Sequence, residues 1–229
     1  MTSNTPYRYE DVARSIDHAL LNPALTDREL ETGCKLAAHY GVASVCVMPY
    51  YLPKAVELLR GSGVLPSTTI AFPHGVQATS VKLVETVRAL DDGAEELDVV
   101  TNISRMVTGD LAYVRSELAA IADVVHGRGK KLKIIFENSY LNEEQKIALC
   151  GVVGAIRADW AKTSTGFSSS GATTDDVRLM RALCPPDVQV KASGGIHDLG
   201  ALLSFRALGA TRIGTSRTRD ILEECRRRS

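Results

Sequence analysis

No run of this 229-residue chain is apolar for long enough to span a bilayer. Its opening stretch, Met1-Thr-Ser-Asn-Thr-Pro-Tyr-Arg-Tyr-Glu10, holds no signal-peptide core. There is no excess charge of either sign. Lys plus Arg and Asp plus Glu number 27 each, which leaves no electrostatic footprint for nucleic acid or a membrane surface. The five cysteines, at 34, 46, 150, 184 and 225, are scattered, odd in number and contain no CxxC pair. They suit a reducing cytoplasm rather than a disulfide framework or a zinc site. The five histidines show no ligand spacing such as HxxxH, so no metal site is expected. No linker, low-complexity segment or long charge run divides the chain. These absences predict one cytoplasmic domain over residues 1–229, and 45% hydrophobic residues supply its core.

What is present is alternation. Short apolar runs near 14–18, 42–48, 67–72, 95–100, 131–137, 159–164, 188–193 and 212–216 read as strands. Helical patterns lie between them, near 26–40, 53–60, 77–92, 111–127, 143–156, 174–183, 198–208 and 218–226. Thr26 with Glu29 forms a capping-box signal, and Pro53 suits a first helical turn. One junction recurs: Gly41-Val-Ala-Ser-Val, Gly93-Ala-Glu-Glu-Leu and Gly209-Ala-Thr-Arg-Ile each end a helix on glycine and enter a strand. Arg157-Ala-Asp-Trp-Ala echoes this plan without the glycine. Repeated strand–helix units predict an α/β chain folded as a (β/α)₈ TIM barrel, with a doubly wound open sheet as the alternative. The open sheet lacks its Gly-rich fingerprint here.

In a barrel the strand C-termini form the active face. That gathers Asp17 and His18 from the first strand, Cys46 from the second, Asp98 from the fourth, Glu137 from the fifth, Lys162 from the sixth and Lys191 from the seventh. Lysine is costly to bury, and an amine held near a second cation loses its proton more easily and attacks carbonyls. Lys162 precedes the small polar residues Thr163-Ser-Thr165-Gly166, which leave room for a substrate. A rim lysine in an ordinary ion pair fits the same spacing. Gly194-Gly195 after Lys191, and Gly214-Thr-Ser216 after the eighth strand, fall where barrels bind phosphate. Tight turns alone also explain the two glycines. Alternation places Glu96, Asp98 and Val100 on one face, with Lys133 as a candidate inward partner of Asp98. Cys46 and Trp160 read as core residues and His74 as a loop residue. Arg217 either adds charge to the anion site or faces solvent.

Asp159-Trp-Ala-Lys-Thr-Ser-Thr-Gly-Phe167 and Val190-Lys-Ala-Ser-Gly-Gly-Ile196 closely resemble the signatures of the deoxyribose-phosphate aldolase family. Ile16-Asp-His-Ala-Leu-Leu21, Ser44-Val-Cys-Val47, Glu96-Leu-Asp-Val-Val100 and Ala210-Thr-Arg-Ile-Gly-Thr-Ser216 follow in the same order. The resemblance implies a class I aldolase that cleaves 2-deoxy-D-ribose 5-phosphate to acetaldehyde and D-glyceraldehyde 3-phosphate without metal or other cofactor. It makes Lys162 the Schiff-base lysine, Lys191 the neighbour that lowers its pKa, Asp98 the acid/base partner and Asp17 a further relay member. It assigns phosphate to Gly166, Gly194, Gly195, Gly214 and Ser216, and the substrate wall to Thr165. It also implies a homo-oligomer, dimer or tetramer. The chain departs from the family pattern near strand ends: Ala19 and Asn22 stand in IDHTLLK, Met48 follows the second strand, Ser104-Arg-Met106 replaces part of NIGAL, and Asn138 follows Glu137. These changes place another aldehyde or sugar phosphate as the alternative substrate, with Arg105 and Asn138 as candidate recognition residues. A non-catalytic sugar-phosphate-binding barrel is the alternative of a different class.

Overall fold

Eight parallel strands close on themselves in chain order: β1 (Ile16–Leu20), β2 (Ser44–Val47), β3 (Leu65–Ile70), β4 (Glu96–Val100), β5 (Lys131–Ile135), β6 (Trp160–Lys162), β7 (Gln189–Ser193) and β8 (Ala210–Thr215). The computed structural model describes residues 7–228, so residues 1–6 and 229 of the expected domain lie outside the described residues. The helices are α1 (Tyr9–Ala13), α2 (Asp27–Tyr40), α3 (Leu52–Leu59), α4 (Thr79–Asp91), α5 (Ile103–Val107), α6 (Leu111–Gly127), α7 (Glu143–Ala155), α8 (Thr174–Leu183), α9 (Leu199–Ala207) and α10 (Thr218–Arg228). The closed parallel barrel is the expected (β/α)₈ fold, and the open sheet is excluded.

Local chemistry starts these helices. Thr26 and Glu29 form the expected capping box, and Asn142 with Gln145 forms a second. Asn102, Asp110, Thr173 and Asp198 each accept the backbone N–H three residues on. The recurring helix-to-strand junction is left-handed, with φ of 65° at Gly41, 99° at Gly93 and 97° at Gly209, and Arg157 adopts it too, at 54°.

The outer strand faces carry Ile16, Val45, Leu97, Leu132, Ala161, Val190 and Ile213, all with no exposed surface, against the helix layer. Four helical or turn elements were not expected: α1, α5 and the 3₁₀ turns at Pro49–Tyr51 and Asn138–Tyr140. β3 starts at Leu65 and ends before Ala71, whose φ of 56° turns the chain out of the barrel; the run 67–72 is thus displaced toward its N-terminus.

Among the described residues lysine is buried four times, at Lys82, Lys133, Lys162 and Lys191. Lys82 lies outside the barrel, between α4 and α6. Its Nζ donates to Glu117 Oε2 at 2.8 Å and to the Val100 carbonyl at 2.9 Å.

Candidate active site

Register decides what the barrel holds. Paired residues on neighbouring parallel strands share a face, so Asp17, Ser44 and Gly214 point inward together, as do Ala19, Cys46 and Ser67. Thr69 pairs with Asp98, Asp98 with Lys133, and Lys162 with Lys191. The interior is lopsided. β1–β3 contribute Ala19, Ser44, Cys46, Ser67 and Thr69, small and neutral apart from Asp17, while β4–β8 contribute Glu96, Asp98, Lys133, Lys162, Lys191 and Arg212.

At the strand C-termini the barrel opens into a cleft of about 560 Å³. Asp17, Cys46, Lys162 and Lys191 reach its floor. Thr165, Gly166, Gly194, Gly195, Gly214 and Ser216 line the β6–β8 side, so all the residues expected at the phosphate end share one cavity. Asp98 has no exposed surface and lies under the floor.

Lys162 Nζ donates to Asp98 Oδ2 at 2.8 Å. Lys191 Nζ donates to the same oxygen at 2.7 Å and pairs with Asp17 Oδ2 at 2.6 Å. Lys133 supports Asp98 from below, through Oδ1 at 2.9 Å, and pairs with Glu96 Oε2 at 2.6 Å. Sequence alternation had placed Glu96, Asp98 and Lys133 together, and they meet as expected. Arg212 was missed. It donates to Asp17 Oδ1 and to both oxygens of Glu96, at 2.6 and 3.1 Å, and stacks on Trp160 at 4.9 Å. Ser44 also donates to Asp17, at 2.8 Å.

Burial is the main force lowering the Lys162 pKa; Asp98 opposes it and the Lys191 charge adds to it. This reorders the expected causes, in which Lys191 came first. Burial also disfavours the charge on Lys191, but Asp17 and Asp98 outweigh it and its pKa is raised. Asp98 is desolvated too, yet Lys133, Lys162 and Lys191 hold its carboxyl well below the usual range. Asp17 is likewise held low, by Lys191, Arg212 and Lys133 against burial.

The loops after the two lysines are stitched together. Ser193 Oγ donates to the Ser164 carbonyl at 2.6 Å, and Ser164 Oγ returns a bond to the Ser193 carbonyl. Gly194 and Gly171 touch backbone to backbone; a Cβ on Gly171 would stand 2.1 Å from the Gly194 carbonyl oxygen. A Cβ on Gly214 would come within 3.3 Å of Lys191 Cε and 2.8 Å of Ser193 Cβ, so glycine there leaves space for the lysine stem. Gly214 belongs to β8 itself rather than to a loop after it.

Several expected members lie elsewhere. His18 sits beside Asp17 but on the opposite strand face, with Nδ1 2.8 Å from Thr218 Oγ1; burial lowers its pKa to about 4. Glu137 braces the loop after β6, accepting from Thr165 N at 3.2 Å and from Ser168 Oγ at 3.0 Å. Arg105 pairs with Asp110 at 3.3 Å and packs over Tyr113, while Asn138 Nδ2 contacts Met180 Sδ at 3.4 Å. Neither lines the cleft, which corrects their expected role in recognition. Met48 and Met106 do not line it either, whereas Ala19 and Asn22 do. Ser104 lines a neighbouring depression with His74. Arg217 pairs at the surface with Asp220 at 3.6 Å.

The profile of the DeoC/LacD family aldolases matches residues 12–224. The chain belongs to this aldolase family. A deoxyribose-phosphate aldolase from Rhodopirellula baltica is 50% identical over 96% of this chain and 92% of its own. One from Thermococcus kodakarensis is 43% identical over 93% of this chain and 96% of its own. The solved deoxyribose phosphate aldolase of Aeropyrum pernix, described as tetrameric, superposes with a TM-score of 0.89 at 32% identity, over 96% of this chain and 92% of that one. The protein is accordingly an aldolase, a carbon–carbon lyase. Among the described residues no helix is long and apolar enough to cross a membrane.

Proposed function

We propose that this aldolase works through a Schiff base on Lys162 and reversibly cleaves 2-deoxy-D-ribose 5-phosphate into acetaldehyde and D-glyceraldehyde 3-phosphate. The observation that carries the reading is the position of Lys162. It is a buried amine of lowered pKa that reaches the cleft floor and shares one Asp98 oxygen with Lys191. The relatives' names supply the substrate.

Neutral Lys162 attacks the C1 aldehyde, and loss of water leaves an iminium ion. A base takes the C3 hydroxyl proton, the C2–C3 electrons flow into the iminium, and D-glyceraldehyde 3-phosphate departs. The enamine is then protonated at C2, and hydrolysis frees acetaldehyde and the Lys162 amine. Asp98, Lys191 and Asp17 form the hydrogen-bonded chain through which these protons pass. Gly166, Gly194, Gly195, Gly214 and Ser216 receive the phosphate and Thr165 walls the sugar, which fixes the reacting carbon over Lys162. The chain acts as one barrel domain over 1–229, in the cytoplasm, as a homo-oligomeric dimer or tetramer.

Borohydride reduction in the presence of deoxyribose 5-phosphate, followed by peptide mapping, should place the label on Lys162. Label on another residue, or none, rejects the reading. A second reading rests on Ala19 and Asn22, which line the cleft where the family commonly carries Thr and Lys: a lysine aldolase for a different aldehyde or sugar phosphate. Retro-aldol rates over a panel of phosphorylated sugars decide between the two. Strong preference for deoxyribose 5-phosphate removes the second.

A further inference from the structure

The ionic cluster inside the barrel is unbalanced. Lys133, Lys162, Lys191 and Arg212, four cations, face three carboxylates, Asp17, Glu96 and Asp98. The cluster is nearly sealed: relative side-chain exposure is 12% at Arg212 and at most 3% elsewhere. Neutralisation is unevenly shared. Lys133 pairs with three carboxylates, Lys191 and Arg212 with two each, and Lys162 with one, through an oxygen it shares with Lys191. If Lys162 gives up its proton, three cations match three carboxylates.

Arg212 holds its place by a deliberate irregularity. Val190 pairs with Ala210 but the next residue, Lys191, pairs with Arg212, so β8 carries one extra residue at Thr211. Such a bulge re-aims the side chain that follows it. Here it turns Arg212 into the barrel opposite Lys191, and Thr211 itself accepts from Trp160 Nε1 at 3.0 Å.

We propose that the Arg212–Glu96 pair sets the net charge of this cluster at one surplus cation, and thereby assigns proton loss to Lys162. Both are positioning residues: neither lines the cleft. The inference rests on Lys162 being the imine-forming amine. The charged and titratable groups around Lys162 are Asp17 from β1, Cys46 from β2, Glu96 and Asp98 from β4, Lys133 from β5, Lys191 from β7 and Arg212 from β8. Cys46 adds no charge near neutral pH, because burial pushes its thiol up to about 11. Glu96 anchors Arg212 and Lys133 at once. Arg212 in turn draws on Asp17, which leaves Lys191 to share the Asp98 oxygen that Lys162 uses.

The test counts charge rather than contacts. Four variants are compared with wild type: Arg212→Met, Glu96→Gln, the two combined, and Arg212→Lys. The readouts are the pH dependence of kcat/KM for deoxyribose 5-phosphate cleavage and that of borohydride trapping on Lys162. Arg212→Met removes the surplus and should move the acid limb of both profiles up by about one pH unit. Glu96→Gln doubles the surplus and should move it down by a similar amount. The double variant restores one surplus cation, so its limb should return to within a few tenths of wild type. Arg212→Lys keeps the charge and should leave the limb in place. Shifts of the two single variants in the same direction overturn the proposal, as does a double variant that fails to return. If Arg212→Met does not fold, Glu96→Gln decides alone, since a purely structural role leaves its limb unmoved. Absence of a Lys162 imine in the wild-type protein at every pH is a different result. It rejects the Schiff-base reading instead.

Discussion

Lys82 and Lys162 are both buried, both donate to a carboxylate at 2.8 Å, and both lose basicity to burial. Their surroundings separate them. Lys82 shares Glu117 with no other cation among the described residues, only with the Thr79 hydroxyl at 3.2 Å, and has a backbone carbonyl besides, in a pocket between two helices that no cleft reaches. Lys162 shares its one carboxylate oxygen with a second ammonium group and reaches the floor of a cavity. A buried lysine of lowered pKa is therefore no mark of an active site. The mark is a surplus of charge at a point a substrate can touch. Where charges match, burial is structural; where they do not, one group stays poised to change protonation state.

Four substitutions sharpen or break this contrast. The largest effect is expected from Lys162→Ala. Cleavage and borohydride labelling should fall to background while the thermal unfolding midpoint stays at or above that of wild type, because the surplus cation is gone. Calorimetry beside the activity assay checks both halves, and a marked loss of stability would put Lys162 in the same class as Lys82. Next comes Lys191→Leu. It removes a cation that lowers the Lys162 pKa and leaves Asp98 Oδ2 to Lys162 alone, so the Lys162 pKa rises. We expect kcat/KM to drop about 10²–10⁴-fold, with the acid limb at higher pH; an unmoved limb contradicts the role.

Lys82→Met should cost stability instead, about 3–5 kcal/mol in urea unfolding, by leaving Glu117 charged and unpaired. The pH profile of the surviving enzyme should match wild type. A displaced profile would mean that the two lysines are coupled through Val100. The smallest change is expected from Lys82→Met combined with Glu117→Leu. Removing both partners should bring stability to within about 1 kcal/mol of wild type, and a persistent large loss would show that Thr79 and Val100 depend on the pair.

The barrel was legible because strand and helix patterns alternate without interruption, and all eight strands fall within or beside the expected runs. Short elements were not. α1 and α5 have five residues each, too few for a periodic signal, and Asn102 caps α5 inside a stretch that reads as loop. Within the site, two-residue alternation was enough to join Glu96, Asp98 and Lys133. The same rule separates Asp17 from His18, which faces Thr218 on the outer side of β1. Glu137 escaped because strand alternation stops at its φ of 57°. Arg212 carried one usable signal, its two-residue offset from Gly214. The bulge at Thr211 breaks the count from the other end of β8, so only the paired strands reveal that Arg212 meets Asp17 and Glu96. The sequence motifs located the candidate reacting groups but not their electrostatic balance, which arises among residues on six different strands.

The lopsided interior also bears on engineering. Ala19, Ser67 and Thr69 set how much room the barrel leaves, and the hydroxyls of Ser67 and Thr69 bond to nothing in the ionic cluster. Of these, Ala19 lines the cleft, and exchanging it for a larger neutral residue changes the room there without changing the proton inventory. Along β4–β8, exchanges at Glu96, Asp98, Lys133, Lys162, Lys191 and Arg212 would each alter that inventory. The cleft can thus be reshaped at Ala19 without disturbing the charge count that Asp17 and the residues of β4–β8 hold.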